Sequence, residues 1–127
     1  MEKIVFLYKQ ASVPNEIIEA AEQKTPPHFE LILCEEKMSS KERREIVSEA
    51  DYFMLYTVGF DDVDVAKKAK LMQILSAGYD RLDVHSLKSA GIPLATNGGA
   101  NAPTVAEHTI LLILSLYRKL PLHHTSL

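Results

Sequence analysis

A chain of 127 residues has the length of one domain, and its 46% apolar and 24% charged content is that of an ordinary globular protein. A net charge of −3 offers no electrostatic footprint for nucleic acid, and a single cysteine, Cys34, excludes an intrachain disulfide. No apolar run is long enough to span a bilayer, because His108, Ser115 and Arg118 interrupt the longest one.

KIVFLY (residues 3–8) is a short continuous apolar run, as expected of a strand covered on both faces. This run is too short for a signal h-region. Together with the lone thiol it points to a reducing, cytoplasmic compartment. Pro14 stands where a helix can start, with Ile17, Ile18 and Ala21 as its stripe, and Thr25-Pro26-Pro27 ends it near Lys24. FELILC (residues 29–34) is a second strand, ending in Cys34 as a small buried hydrophobe. Ser39 with Glu42 three residues on forms a capping-box pattern, opening a helix that buries Ile46, Val47 and Ala50. YFMLY (residues 52–56) is the third strand.

Asp61 or Asp62 is placed to cap a short helix carrying Val63, Ala66 and Ala69. LMQIL (residues 71–75) reads as the fourth strand. Asp83 caps another helix, which Gly91 ends, and residues 92–95 form the fifth strand. Then TNGGANAPTVAEHTILLILSLYRKL (residues 96–120) enters a helix of about four turns over residues 104–119. Glu107, His108, Ser115 and Arg118 share one narrow arc of that helix, and apolar residues cover roughly 200° of the rest. One domain needs an apolar stripe of only about 100°. The excess points to a second domain or a second subunit, with a buried central helix as the alternative.

Five alternations of strand and helix predict a parallel sheet with helices on both faces. Ligands of such sheets bind beyond the carboxyl ends of the strands, here at residues 9–13, 57–61, 76–81 and 97–101. The last three loops carry Gly59, Gly78, Gly98 and Gly99, which let backbone N–H groups approach a small anion. Taken singly, each glycine is accounted for by a tight turn. Other chemistry is missing. There is no G-x-G-x-x-G, no phosphate loop ending in G-K-[ST], no metal-ligand spacing of His or Cys and no G-x-S-x-G elbow. The loop after the first strand, KQASVPN, is neither a flavin-phosphate loop nor a phospho-acceptor site with paired acids. Asp61, Asp62, Asp80, Asp83 and Glu107 are each accounted for by capping or a helix N-terminus.

SAGYDRLD (residues 76–83), AGIPLATN (residues 90–97) and NAPTVAEHTILLILSLYRKL (residues 101–120) together resemble the D-isomer-specific 2-hydroxyacid dehydrogenases, with a tail similar to the formate dehydrogenase branch. The motif resemblance covers residues 71–120; before that only the strand–helix pattern carries it. The resemblance implies a flavodoxin-like, three-layer α/β/α substrate domain over residues 1–100, with sheet order 2-1-3-4-5. It implies that residues 101–127 are the long interdomain and dimerisation helix and the hinge toward an NAD- or NADP-binding domain beyond Leu127. The family's catalytic Arg, Glu and His would lie there too, leaving no catalytic residue here. Gly78 and Tyr79 would present N–H groups to the carboxylate of a 2-hydroxy or 2-keto acid. Asn101 would lie near substrate and nicotinamide, and Thr104 would face the cofactor cleft. Thr57 stands in the third-strand loop where the family often has an Arg-Ser or similar polar pair. The implied chain is a homodimer through residues 104–119, inactive alone, with no cofactor, metal, nucleic acid or membrane bound. The other reading is a short binding or regulatory module that pairs with a partner through the same helix.

Overall fold

The computed structural model describes residues 1–125. Strands β1 (Glu2–Tyr8), β2 (Phe29–Glu35), β3 (Tyr52–Tyr56), β4 (Leu71–Ile74) and β5 (Leu94–Ala95) form one sheet in the order β2-β1-β3-β4-β5. All four pairings are parallel, with Val5 opposite both Ile32 and Phe53, and Phe53 opposite Met72. The fold is therefore the expected flavodoxin-like α/β arrangement. β5 is shorter than expected. Pro93 has no N–H to give the ladder, although its carbonyl still accepts the Met72 N–H at 2.9 Å.

The period of two along the strands sorts the core into two layers. Val5, Leu7, Phe53, Leu55, Met72 and Ile74 face one side, packed with Val47 of α2 (Ser40–Glu49) and Leu87 of α3 (Val84–Ser89). Phe6, Tyr8, Met54 and Tyr56 face the other, against Ile17, Ile18 and Ala21 of α1 (Asn15–Lys24). Cys34 is fully buried, and burial pushes its thiol up, so it packs as an inert small hydrophobe.

Local chemistry sets the helix ends. Ser39 caps α2 by accepting the Glu42 N–H. Asp83 caps α3 by accepting the Ser86 N–H at 3.1 Å. The C-terminus of α3 is a Schellman turn: Gly91 (φ +72°) donates to the Lys88 carbonyl and Ile92 to the Leu87 carbonyl. Ile92 and Leu87 are both buried, closing the turn's apolar contact.

Two expectations are corrected. Residues 61–70 form successive turns and no helix. Asp62 does not cap: its carboxylate is buried and taken by Arg43 Nε (2.7 Å) and Arg44 Nη1 (3.2 Å) from α2. The long helix α4 (Ala102–Tyr117) begins earlier than residue 104, with Pro103 in its first turn. Glu107 therefore lies in the second turn rather than the first.

The chain divides into two compact units, Met1–Asn97 and Gly98–Leu127. In the second, α4 carries no buried residue, so it is not a buried central helix. Ile110, Leu112, Ile113 and Leu114 are each more than half exposed. Lys119, at φ +52°, turns the chain into α5 (Leu120–Thr125), a helix the sequence reading left as hinge. Among the described residues no helix is long and apolar enough to cross a membrane.

Candidate functional site

In the first unit, the loops after β3 and β4 leave the sheet at its carboxyl edge and enclose a cavity of 170 Å³. Thr57, Val58, Ser76, Gly78, Tyr79 and Arg81 are among its lining residues. Parallel strands carry no hydrogen-bonded hairpins at this edge, so the loops are free to present backbone groups.

The β4 loop is shaped by its own short-range bonds. Ser76 Oγ donates to the Gly78 carbonyl at 2.9 Å, and Leu82 N–H closes a turn on the Tyr79 carbonyl at 3.0 Å. Asn97 N–H donates to the Ser76 carbonyl, tying the loop to the chain that leaves β5. With the carbonyls occupied, the Gly78 and Tyr79 N–H groups donate to no acceptor among the described residues. Two consecutive free N–H groups are ready donors to carboxylate oxygens. A Cβ at Gly78 would stand 3.3 Å from Asp80 Oδ2, so the missing side chain leaves room for the Asp80 carboxylate, which also lines the cavity.

The β3 loop lines the same cavity. Thr57 adopts φ +56°, a conformation rare for a β-branched residue. Its carbonyl accepts Arg81 Nη1 at 2.7 Å, and its hydroxyl lies 2.7 Å from Ser12 Oγ of the loop after β1. Gly59 lets the two loops touch: a Cβ there would stand 3.2 Å from the Arg81 carbonyl.

Three of the residues named from sequence, Thr57, Gly78 and Tyr79, thus line one cavity. Asn101 and Thr104 belong to the second unit, where Asn101 precedes α4 without a side-chain cap and Thr104 sits in its first turn. Sequence reasoning gave no role to Arg81 or Ser12. Each acts through a partner in a different loop, and no local pattern announces such a contact.

β1 runs into residues 9–13 without a glycine, and Pro103 removes one N–H from the start of α4. No three His, Cys, Asp or Glu side chains converge as a metal would require, among the described residues.

Known proteins identify the family and share the fold. Residues 5–119 match the pattern of the D-isomer specific 2-hydroxyacid dehydrogenase catalytic domain. The chain is 30% identical over 92 residues to a hydroxypyruvate reductase of Thermotoga maritima, covering 70% of this chain and 30% of that protein. It is 32% identical over 59 residues to a D-3-phosphoglycerate dehydrogenase of Archaeoglobus fulgidus, covering 46% of this chain and 11% of that one. The chain therefore spans about a third or less of these relatives' length. Among solved structures, the NAD-bound formate dehydrogenase of Staphylococcus aureus superposes with a TM-score of 0.69 at 19% identity, over 96% of this chain and 39% of that one. The NAD+-bound 3-phosphoglycerate dehydrogenase of Entamoeba histolytica does so with 0.68 at 22% identity, over 93% and 40%. At such identities these two structures speak for the fold. With the match across residues 5–119, this chain belongs to the D-isomer specific 2-hydroxyacid dehydrogenase family.

Proposed function

We propose that this chain is the substrate-binding part of an NAD(P)-dependent D-2-hydroxyacid dehydrogenase. The whole protein would transfer hydride between nicotinamide and the 2-carbon of a 2-hydroxy or 2-keto acid. The observation that carries the proposal is the pair of free N–H groups at Gly78 and Tyr79, set in a cavity at the carboxyl edge of a parallel sheet. The amides hold the carboxylate, and Thr57 lines the same cavity. Asn101, near substrate and nicotinamide, and Thr104, facing the cofactor, are carried by the family resemblance alone. NAD or NADP belongs to the whole protein, and no hydride step is assigned to the residues described.

Catalysis needs donor, acceptor and proton-transfer groups held together. This chain supplies none of the family's Arg, Glu and His, so alone it binds and does not turn over. The exposed apolar surface of α4 supports pairing with a second copy. The test is a turnover assay of the purified chain with pyruvate or glyoxylate and NADH. No oxidation of NADH is expected, and oxidation would contradict the proposal. Reading the coding frame past Leu127 decides between this and a self-standing module. A strand followed by G-x-G-x-x-G supports the first, and an immediate stop codon supports the second.

A further inference from the structure

We infer that Arg81 is a positioning residue that holds Thr57 in the left-handed conformation and so fixes the wall of the carboxylate cavity. The inference rests on the carboxylate-binding reading given above. Nothing in the chain's local sequence favours φ +56° at Thr57. A threonine there crowds its Cβ against the following carbonyl, and left to itself the residue returns to negative φ. Such conformations persist only where the surroundings over-determine them.

Here the surroundings come from two other loops. The Arg81 guanidinium donates Nη1 to the Thr57 carbonyl at 2.7 Å. On the other side, Ser12 Oγ donates to the Lys9 carbonyl at 3.1 Å, which leaves the Thr57 hydroxyl to donate to Ser12 Oγ at 2.7 Å. Thr57 is thus held at its carbonyl by the β4 loop and at its side chain by the β1 loop. The close approach of Gly59 to the Arg81 carbonyl sets the two loops one backbone apart. Arg81 follows Gly78, Tyr79 and Asp80 directly, so one short segment supplies both the amides and the strap that holds Thr57 in the same cavity's lining. Its guanidinium is an exposed strap on the rim, so replacing it leaves the core untouched.

The alternative role for this cation is direct pairing with the bound carboxylate. A double-mutant cycle separates the two. The chain is labelled with nitrogen-15, and the intraresidue HN–Hα NOE of Thr57 reports its φ, strong when positive and weak when negative. Pyruvate affinity is read from the Gly78 and Tyr79 amide shifts. Arg81→Gln is expected to weaken the Thr57 NOE and to lower pyruvate affinity roughly tenfold, the worth of one charge-assisted hydrogen bond. In the Thr57→Gly background, where positive φ carries no penalty, the same Arg81→Gln change is expected to cost no more than about threefold. A Thr57 NOE that stays strong in Arg81→Gln would overturn the inference. So would a full tenfold loss in the Thr57→Gly background, which would make Arg81 a carboxylate-pairing cation. If pyruvate moves neither amide in the unmodified chain, the carboxylate reading fails, and the NOE arm still judges the role of Arg81 separately.

Discussion

Arg43 Nε lies 2.7 Å from Asp62 Oδ2, joining α2 to a loop 19 residues further along the chain. The Asp62 side chain is only 7% exposed, and Arg44 Nη1 holds its other oxygen at 3.2 Å. This carboxylate anchors the segment between β3 and β4 that shapes the sheet's carboxyl edge. Removing Asp62 leaves both guanidinium groups without their shared acceptor. The arginines left behind are 25% and 40% exposed and water reaches them, so Asp62→Ala should destabilise the chain by about 2 kcal/mol in urea unfolding, the loss of its charged hydrogen bonds. Asp64, whose carboxylate also meets Arg44 but is 65% exposed, is the control. Asp64→Ala should cost less than about 1 kcal/mol.

Gly91 tests the end of α3. A Cβ there would meet nothing within 4 Å, so only φ +72° opposes a side chain. Gly91→Ala should lower stability by about 1 kcal/mol with no change in core packing, and Gly91→Asn by less. Thermal unfolding of the three proteins gives the order. Equal midpoints would show that the Schellman turn tolerates a left-handed alanine.

The acid limb of stability has named sources. The Asp51 carboxyl is held below the usual range by the Lys3 N–H (2.9 Å) and then by the Lys70 ammonium (3.0 Å). The Asp83 carboxyl is likewise lowered, by the Ser86 hydroxyl and then the Ser86 N–H. Both groups bind protons more weakly folded than unfolded, so stability rises with pH through their titration. Their contribution is whole above the unfolded value near pH 4 and is lost as pH falls through the folded values below it. Asp51→Asn should flatten that limb in a series of unfolding curves from pH 5 downward. An unchanged slope would remove Asp51 from the account.

The α4 surface predicts self-association. An apolar face of this extent marks an interaction surface or an aggregation liability. Sedimentation velocity should show the chain associating, and Ile110→Glu with Ile113→Glu should return it to monomer. Because α4 buries no residue, the double change should leave the unfolding midpoint of residues 1–97 unmoved. A clean monomer at high concentration before mutation would contradict this.

What the sequence made legible was local. The continuous apolar run KIVFLY announced a strand covered on both faces, and parity along the strand sorts its side chains into the two core layers. Ser39, Asp83 and Gly91 announced helix ends, because capping is settled within four residues. Asp62 misled for the opposite reason. Its residue type and position suit a cap, while its partners, Arg43 and Arg44, sit on a helix that only the tertiary fold brings near. The site divided the same way. The SAGYDRLD segment located Gly78 and Tyr79, but the Arg81 strap and the φ of Thr57 depend on a bond between loops 24 residues apart. The second helix after Lys119 went unread because Pro121 suggests a break and serves instead in the first turn of α5.

The account stands on the Gly78 and Tyr79 amides as a carboxylate receptor. Titration of the nitrogen-15-labelled chain with pyruvate, followed amide by amide and repeated with uncharged pyruvamide, measures that directly. The prediction is saturable shifts at Gly78, Tyr79 and their neighbours with pyruvate and none with pyruvamide. Equal shifts from both compounds, or pyruvate shifts confined to residues outside this cavity, would contradict it.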